Sequence, residues 1–205
     1  SSLTEIAIPD SVERLGDHAL YGCTKLNSAT IGENVIYVGR GAFNDLSNLV
    51  NVTFGGSVET IGDCAFRDCA NLTTFELPDT LRTIGKYAFA GCCNSLTTCT
   101  IPTNAEDWEI VLGYGVFSGC TALRTVSLGN SIKALPGPTY NGVNAGYGSY
   151  SYRDNESGAP TAGGYSSATF YDCRSLETIV WGDSLESIGN LAFYNCDALR
   201  SVTIP

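Results

Sequence analysis

The chain has 205 residues, 43% of them hydrophobic and 16% charged, which is ample for a folded core. Its net charge of −10 argues against a nucleic-acid partner, which needs a basic stripe. No run of 18 apolar residues occurs, so no segment reads as a membrane-spanning helix, and no secretory leader opens the chain.

In chain order, eight apolar hexads stand out: LTEIAI (3–8), LNSATI (26–31), LVNVTF (49–54), LTTFEL (72–77), LTTCTI (96–101), LRTVSL (123–128), LETIVW (176–181) and LRSVTI (199–204). Their ends are spaced by 23, 23, 23, 24, 27, 53 and 23 residues. The base period is 23, and the 53 is one repeat plus 30 extra residues. The hexads alternate polar and apolar over their last four residues, with Thr, Val and Ile prominent, which is strand composition. A turn follows, around Pro9, Pro78 or Pro102, and then a short extended piece such as SVERL or TLRTI. A glycine turns the chain (Gly16, Gly39, Gly62, Gly85, Gly189), and an A-F-x-x-C piece has the length of one helical turn. No unit can bury its own apolar face, so stacked units sharing one core are expected. The expectation is one solenoid over 1–205 with eight parallel strands ending near 8, 31, 54, 77, 101, 128, 181 and 204.

The segments IPDSVERLGDHALYGCTKL and LPDTLRTIGKYAFAGC resemble the BspA-type leucine-rich repeat, and the resemblance covers nearly the whole chain outside the insertion. It implies a leucine-rich-repeat solenoid with one parallel β-strand per repeat of about 23 residues. Short helical turns and extended segments occupy its other faces. That family occurs on surface proteins of gut and oral bacteria and of some parasitic protists, so an extracellular or cell-surface location is implied. A repeat family offers a scaffold and does not by itself define a function. The chain lacks methionine and starts inside a repeat, which suggests a piece cut from a longer protein.

Nine cysteines invite a metal or disulfide reading. Six of them, Cys23, Cys69, Cys92, Cys120, Cys173 and Cys196, stand three places after Leu20, Phe66, Phe89, Phe117, Phe170 and Phe193. Leu46 fills the same place after Phe43, so the slot reads as one for a small apolar body, which a free cysteine supplies, and Cys23, Cys69, Cys120 and Cys196 are expected to be buried and reduced. Cys99 takes an inward hexad slot. One cysteine per repeat makes a ladder and not a convergent zinc set. Disulfides between rungs are sterically possible at inter-strand spacing. Cys93, a one-residue insertion, is the candidate exposed thiol. His18 is the only histidine and occupies a slot held elsewhere by Gly41, Cys64, Tyr87, Gly115 and Leu191. No G-x-S-x-G, phosphate-loop or H-E-x-x-H motif appears. The reading is a non-enzyme with no cofactor and no metal.

Two surfaces remain for binding. Outward hexad positions carry mostly short hydroxyl side chains in columns, such as Thr30, Thr53, Thr100, Ser127 and Thr203, with Glu76 and Val180 the exceptions in that column. Residues 136–166 form a Gly- and Tyr-rich insertion within one repeat, with Tyr140, Tyr147, Tyr150, Tyr152 and Tyr165. That palette gives amphipathic contact area with adaptable hydrogen bonds. The preceding repeat is expanded by four residues around Trp108, so the tyrosines and Trp108 are the predicted ligand contacts. The alternative for the insertion is a passive surface loop. Asn-x-Ser/Thr triplets fall at Asn51, Asn71 and Asn155. The functional expectation is an extracellular recognition or adhesion module, monomeric, binding a host or self protein or a surface glycan. The alternative is a structural spacer with no ligand of its own.

Overall fold

The computed structural model describes residues 2–73, 75–92, 95–103, 108–137 and 168–204. Alternating Thr and aliphatic residues place six strands on one face: β1 (Glu5–Ala7), β3 (Ser28–Thr30), β5 (Asn51–Thr53), β8 (Thr98–Ile101), β10 (Thr125–Leu128) and β12 (Thr178–Val180). The short extended pieces form a second face: β2 (Arg14–Leu15), β4 (Tyr37–Val38), β6 (Thr60–Ile61), β7 (Thr83–Ile84), β9 (Val111–Leu112), β11 (Ala134–Leu135) and β13 (Ser187–Ile188). Every pairing is parallel and in register, for example Ala29↔Val52, Val126↔Ile179 and Ile61↔Ile84. The architecture is therefore a leucine-rich-repeat solenoid with a parallel ladder on two faces.

The hexad face falls into two sheets, β1-β3-β5 and β12-β10-β8. Two of the eight expected strands are missing: residues 75–77 and 201–204 carry none. At the first, Phe75 stands in an inward slot held elsewhere by Ala29, Val52, Cys99 and Val126, all buried. Its ring stacks on Phe89 at 4.6 Å and meets Phe54 edge-on at 6.4 Å. A ring in a slot sized for Ala or Val holds the backbone off the ladder. At the second, Val202 and Ile204 are exposed and lack the burial that holds the other hexads.

The second face also breaks, between β9 and β11. Elsewhere the residue after the strand donates its N–H to the preceding repeat, as Gly62 does to Val38 O at 2.8 Å and Gly85 to Ile61 O at 2.7 Å. Pro136 holds that place after β11 and has no N–H to give.

The third face is not helical. No helix occurs among the described residues. The A-F-x-x-C pieces are successive tight turns, with i→i+3 bonds such as Tyr21 N–H to His18 O and Cys23 N–H to Leu20 O, both 3.0 Å. They form their own ladder, since Phe43 N–H reaches Ala65 O at 2.8 Å and Phe66 N–H reaches Ala88 O at 2.8 Å. Left-handed residues recur at two places per repeat and interrupt any helix. One place holds Asp45, Asp68, Asp172 and Asn195, with Gly22, Gly91 and Gly119. The other holds His18, Cys64, Tyr87 and Leu191, with Gly41 and Gly115. The His18 slot is thus defined by its backbone conformation, at φ 54° to 62°.

The core is a column of phenylalanines. Phe43, Phe66, Phe89, Phe117, Phe170 and Phe193 stack with centroids 4.8, 5.4, 5.9, 5.6 and 5.7 Å apart and planes within 10°. Beside it runs the cysteine ladder. The described cysteines are thiols. Each thiol from Cys69 onward donates to the carbonyl of the phenylalanine one repeat earlier: Cys69 to Phe43 O at 3.0 Å, Cys92 to Phe66 O at 3.2 Å, Cys120 to Phe89 O at 3.1 Å, Cys173 to Phe117 O at 3.1 Å and Cys196 to Phe170 O at 3.2 Å. Where the slot holds a buried cysteine the thiol is also a donor, whereas Leu46 fills it with an apolar body alone. Cys23 departs from the expectation of burial: it is half-buried. Cys93 lies outside the described residues.

Residues 138–167, most of the 136–166 insertion, lie outside the described residues. The described residues on either side of them are joined: the Thr169 hydroxyl, fully buried, donates to Pro136 O at 2.9 Å. Thr169→Val keeps the shape and removes the donor, stranding that carbonyl. We expect it to cost about 1–2 kcal/mol in urea denaturation. No measurable loss would show that this latch carries no weight.

Candidate functional site

The break in the hexad face opens a cleft of about 930 Å³. That is within the range of small-ligand sites, roughly 300–1,000 Å³. β5 supplies Asn51 and Thr53, the strandless hexad supplies Glu76, and β8 supplies Thr98 and Thr100, while Phe54 and Phe75 reach it from below. Outward alternation puts these polar side chains toward solvent. Asn51, Thr53, Glu76, Thr98 and Thr100 are all exposed, whereas the two rings are half-buried.

A second irregularity falls at the same place. After the hexads, a column of side chains stitches each repeat to the next. Glu33 N–H donates to Asp10 Oδ1 at 2.8 Å, Gly56 N–H to Glu33 Oε2 at 2.8 Å, Asn130 N–H to Thr103 Oγ1 at 3.0 Å and Asp183 N–H to Asn130 Oδ1 at 3.1 Å. Gly56 has no side chain to continue the column. Its successor Asp79 lines the cleft, and its carboxylate takes no such N–H among the described residues. Glu76 likewise has no hydrogen bond or ion pair among them. Some acids are paired across repeats, as Glu59 is with Arg82 at 3.5 Å and Glu177 with Arg124 at 3.2 Å, whereas the exposed Glu5, Glu13 and Asp197 carboxylates, like Glu76, have no such partner among the described residues.

Trp108 is half-buried, and the Arg82 guanidinium lies over its ring at 3.6 Å. This ties Trp108 into a column with Arg82 and Glu59 on the second face, away from the cleft. The other predicted contacts, Tyr140, Tyr147, Tyr150, Tyr152 and Tyr165, lie outside the described residues. The repeat pattern passed over an aromatic pair on the turn face, Tyr171 half-buried and Tyr194 exposed. Tyr171 and Tyr194 stack at 5.2 Å and 11°. Each follows the core phenylalanine by one place, and that spacing was the available signal. His18 is exposed and meets Tyr21 edge-on at 6.0 Å. Among the described residues no three His, Cys, Asp or Glu side chains converge as metal ligands do. No helix among them is long and apolar enough to cross a membrane.

Burial governs the ladder thiols. It pushes the Cys69 and Cys99 thiols up to about 12 and that of Cys196 up to about 11. Thiolate, the nucleophilic form, is therefore suppressed at neutral pH.

The fold has solved counterparts. A leucine-rich repeat protein of T. pallidum is similar over 97% of this chain and 79% of its own, at 20% identity and a TM-score of 0.70. A leucine-rich repeat protein from Bacteroides ovatus is similar over 94% of this chain and 49% of its own, at 24% identity and a TM-score of 0.58. The pneumococcal vaccine antigen PcpA is similar over 66% of this chain and 41% of its own, at 23% identity and a TM-score of 0.52. No curated protein matches the sequence significantly. The family model for the BspA type leucine rich repeat region matches six copies across residues 1–124 and 165–205. With the 23-residue spacing and the parallel ladders, that match makes this chain a member of the BspA-type leucine-rich-repeat family.

Proposed function

We propose that the chain is a non-enzymatic recognition and adhesion module, monomeric and placed outside the cell or on its surface. Its partner is a host or self protein, or a surface glycan. The observation that supports this best is the cleft on the hexad face, where two carboxylates without a partner among the described residues sit among threonine hydroxyls and an amide. A solenoid used only as a spacer has no need to interrupt both its ladder and its side-chain column at one place. Membership of a surface-protein family and a vaccine antigen among the similar folds support the location. The insertion tyrosines Tyr140, Tyr147, Tyr150, Tyr152 and Tyr165, with Trp108, remain in the proposal as a second contact on composition alone.

The test is an array of extracellular-matrix proteins and surface polysaccharides. The chain is expected to be retained on at least one. Tyr147→Ala with Tyr150→Ala is expected to weaken retention and leave the melting temperature unchanged. A chain retained on nothing would favour the spacer reading.

A further inference from the structure

We infer that the cleft between β5 and β8 binds a neutral oligosaccharide. The inference rests on the recognition reading above and adds the chemical class of ligand. Adjacent strands are about 4.8 Å apart, so β5 and β8, two repeats apart, stand roughly 10 Å apart. Hexad 72–77, lacking a strand, lies between them. The cleft above that hexad, about 930 Å³, is within the range of small-ligand sites. A pyranose presents many hydroxyl donors and an apolar C–H face. The cleft offers the complement of both. Glu76 and Asp79 are acceptors with no donor among the described residues to satisfy them, and Asn51 can donate and accept at once. Hydrogen bonds to charged acceptors are the stronger kind. The rings of Phe54 and Phe75 give the floor an aromatic surface.

Charge selects among sugars. Two uncompensated carboxylates in a chain of net charge −10 repel uronate, sulfate and sialate groups. A basic peptide is the competing occupant. The threonine- and amide-rich wall matches hydroxyls better than it matches isolated ammonium groups, and the cleft carries only two acids.

The experiment is affinity electrophoresis of the whole chain in gels containing mannan, a neutral β-glucan, a galactan or polygalacturonate. At least one neutral polymer should retard it and polygalacturonate should not. Glu76→Ala with Asp79→Ala should lower the association constant at least tenfold. Both residues are exposed, so the melting temperature should hold. Ser127→Ala with Thr178→Ala, outside the cleft, should change nothing. Retardation by none of the neutral polymers would overturn the assignment, as would retardation that survives the double substitution or yields to oligolysine. A chain that ignores all four polymers but is retained on a matrix protein loses the glycan assignment and keeps the recognition reading.

Discussion

Gly85→Ala is expected to destabilise the solenoid by about 3 kcal/mol, the upper part of the range for forced overpacking. A Cβ built on Gly85 would lie 2.4 Å from Asp63 N and 2.5 Å from Gly62 C. Both are backbone atoms of the preceding repeat and cannot rotate away. Two repeats would have to part, and the bond from Gly85 N–H to Ile61 O would lengthen with them. The same column supplies its own control. A Cβ on Gly16 meets nothing within 4 Å, because no described repeat packs before it. Gly16→Ala should be neutral, or stabilising by roughly 0.4–1 kcal/mol through the unfolded chain. Urea denaturation of the two variants reads the contrast directly. Equal effects would show that contact between repeats is not what requires glycine.

Cys69→Asp is expected to cost about 3–5 kcal/mol, the penalty of a buried charge without a partner. Cys69 is fully buried, and its thiol points at the Phe43 carbonyl, which would face a carboxylate as one acceptor faces another. Cys69→Leu should cost under about 1.5 kcal/mol, since Leu46 occupies the equivalent buried slot. Alkaline pH tests the same burial in the native chain. In the folded state the Cys69 and Cys99 thiols are pushed up to about 12, against an ordinary value near 9. The unfolded chain gives up these protons first. Stability is therefore unaffected below pH 9 and falls as pH rises from 9 to 12. Rapid reaction of Cys69 with a thiol reagent at pH 8 would contradict this.

The sequence shows the solenoid plainly because each repeat restates the same constraints. Leucine heads, the phenylalanine column and the threonine alternation recur at a fixed period, and a period survives a misread residue. The glycines were legible as positions but not in their reason. Gly39, Gly62, Gly85 and Gly189 have no positive φ, and what excludes a side chain there is the neighbouring repeat. The turn face was misread as helical because left-handed conformation has a weak signature when Cys64, Tyr87 or Leu191 adopts it. Aspartate and glycine at the second left-handed place were the better clue. The cleft was the hardest feature to foresee. It arises from three departures from the repeat, Phe75 for a small residue, Gly56 for an acceptor and Glu76 for a threonine. Each looks like ordinary variation until the repeats are stacked.

The proposal that this stack presents its ligand site on the interrupted hexad face is tested most directly by amide hydrogen exchange. The chain would be compared with and without the neutral polysaccharide that retards it most. The account predicts added protection in Asn51–Thr53, Phe75–Asp79 and Thr98–Thr103, with the turn face unchanged. Protection centred on Tyr171 and Tyr194, or spread evenly along the hexad face, would contradict it.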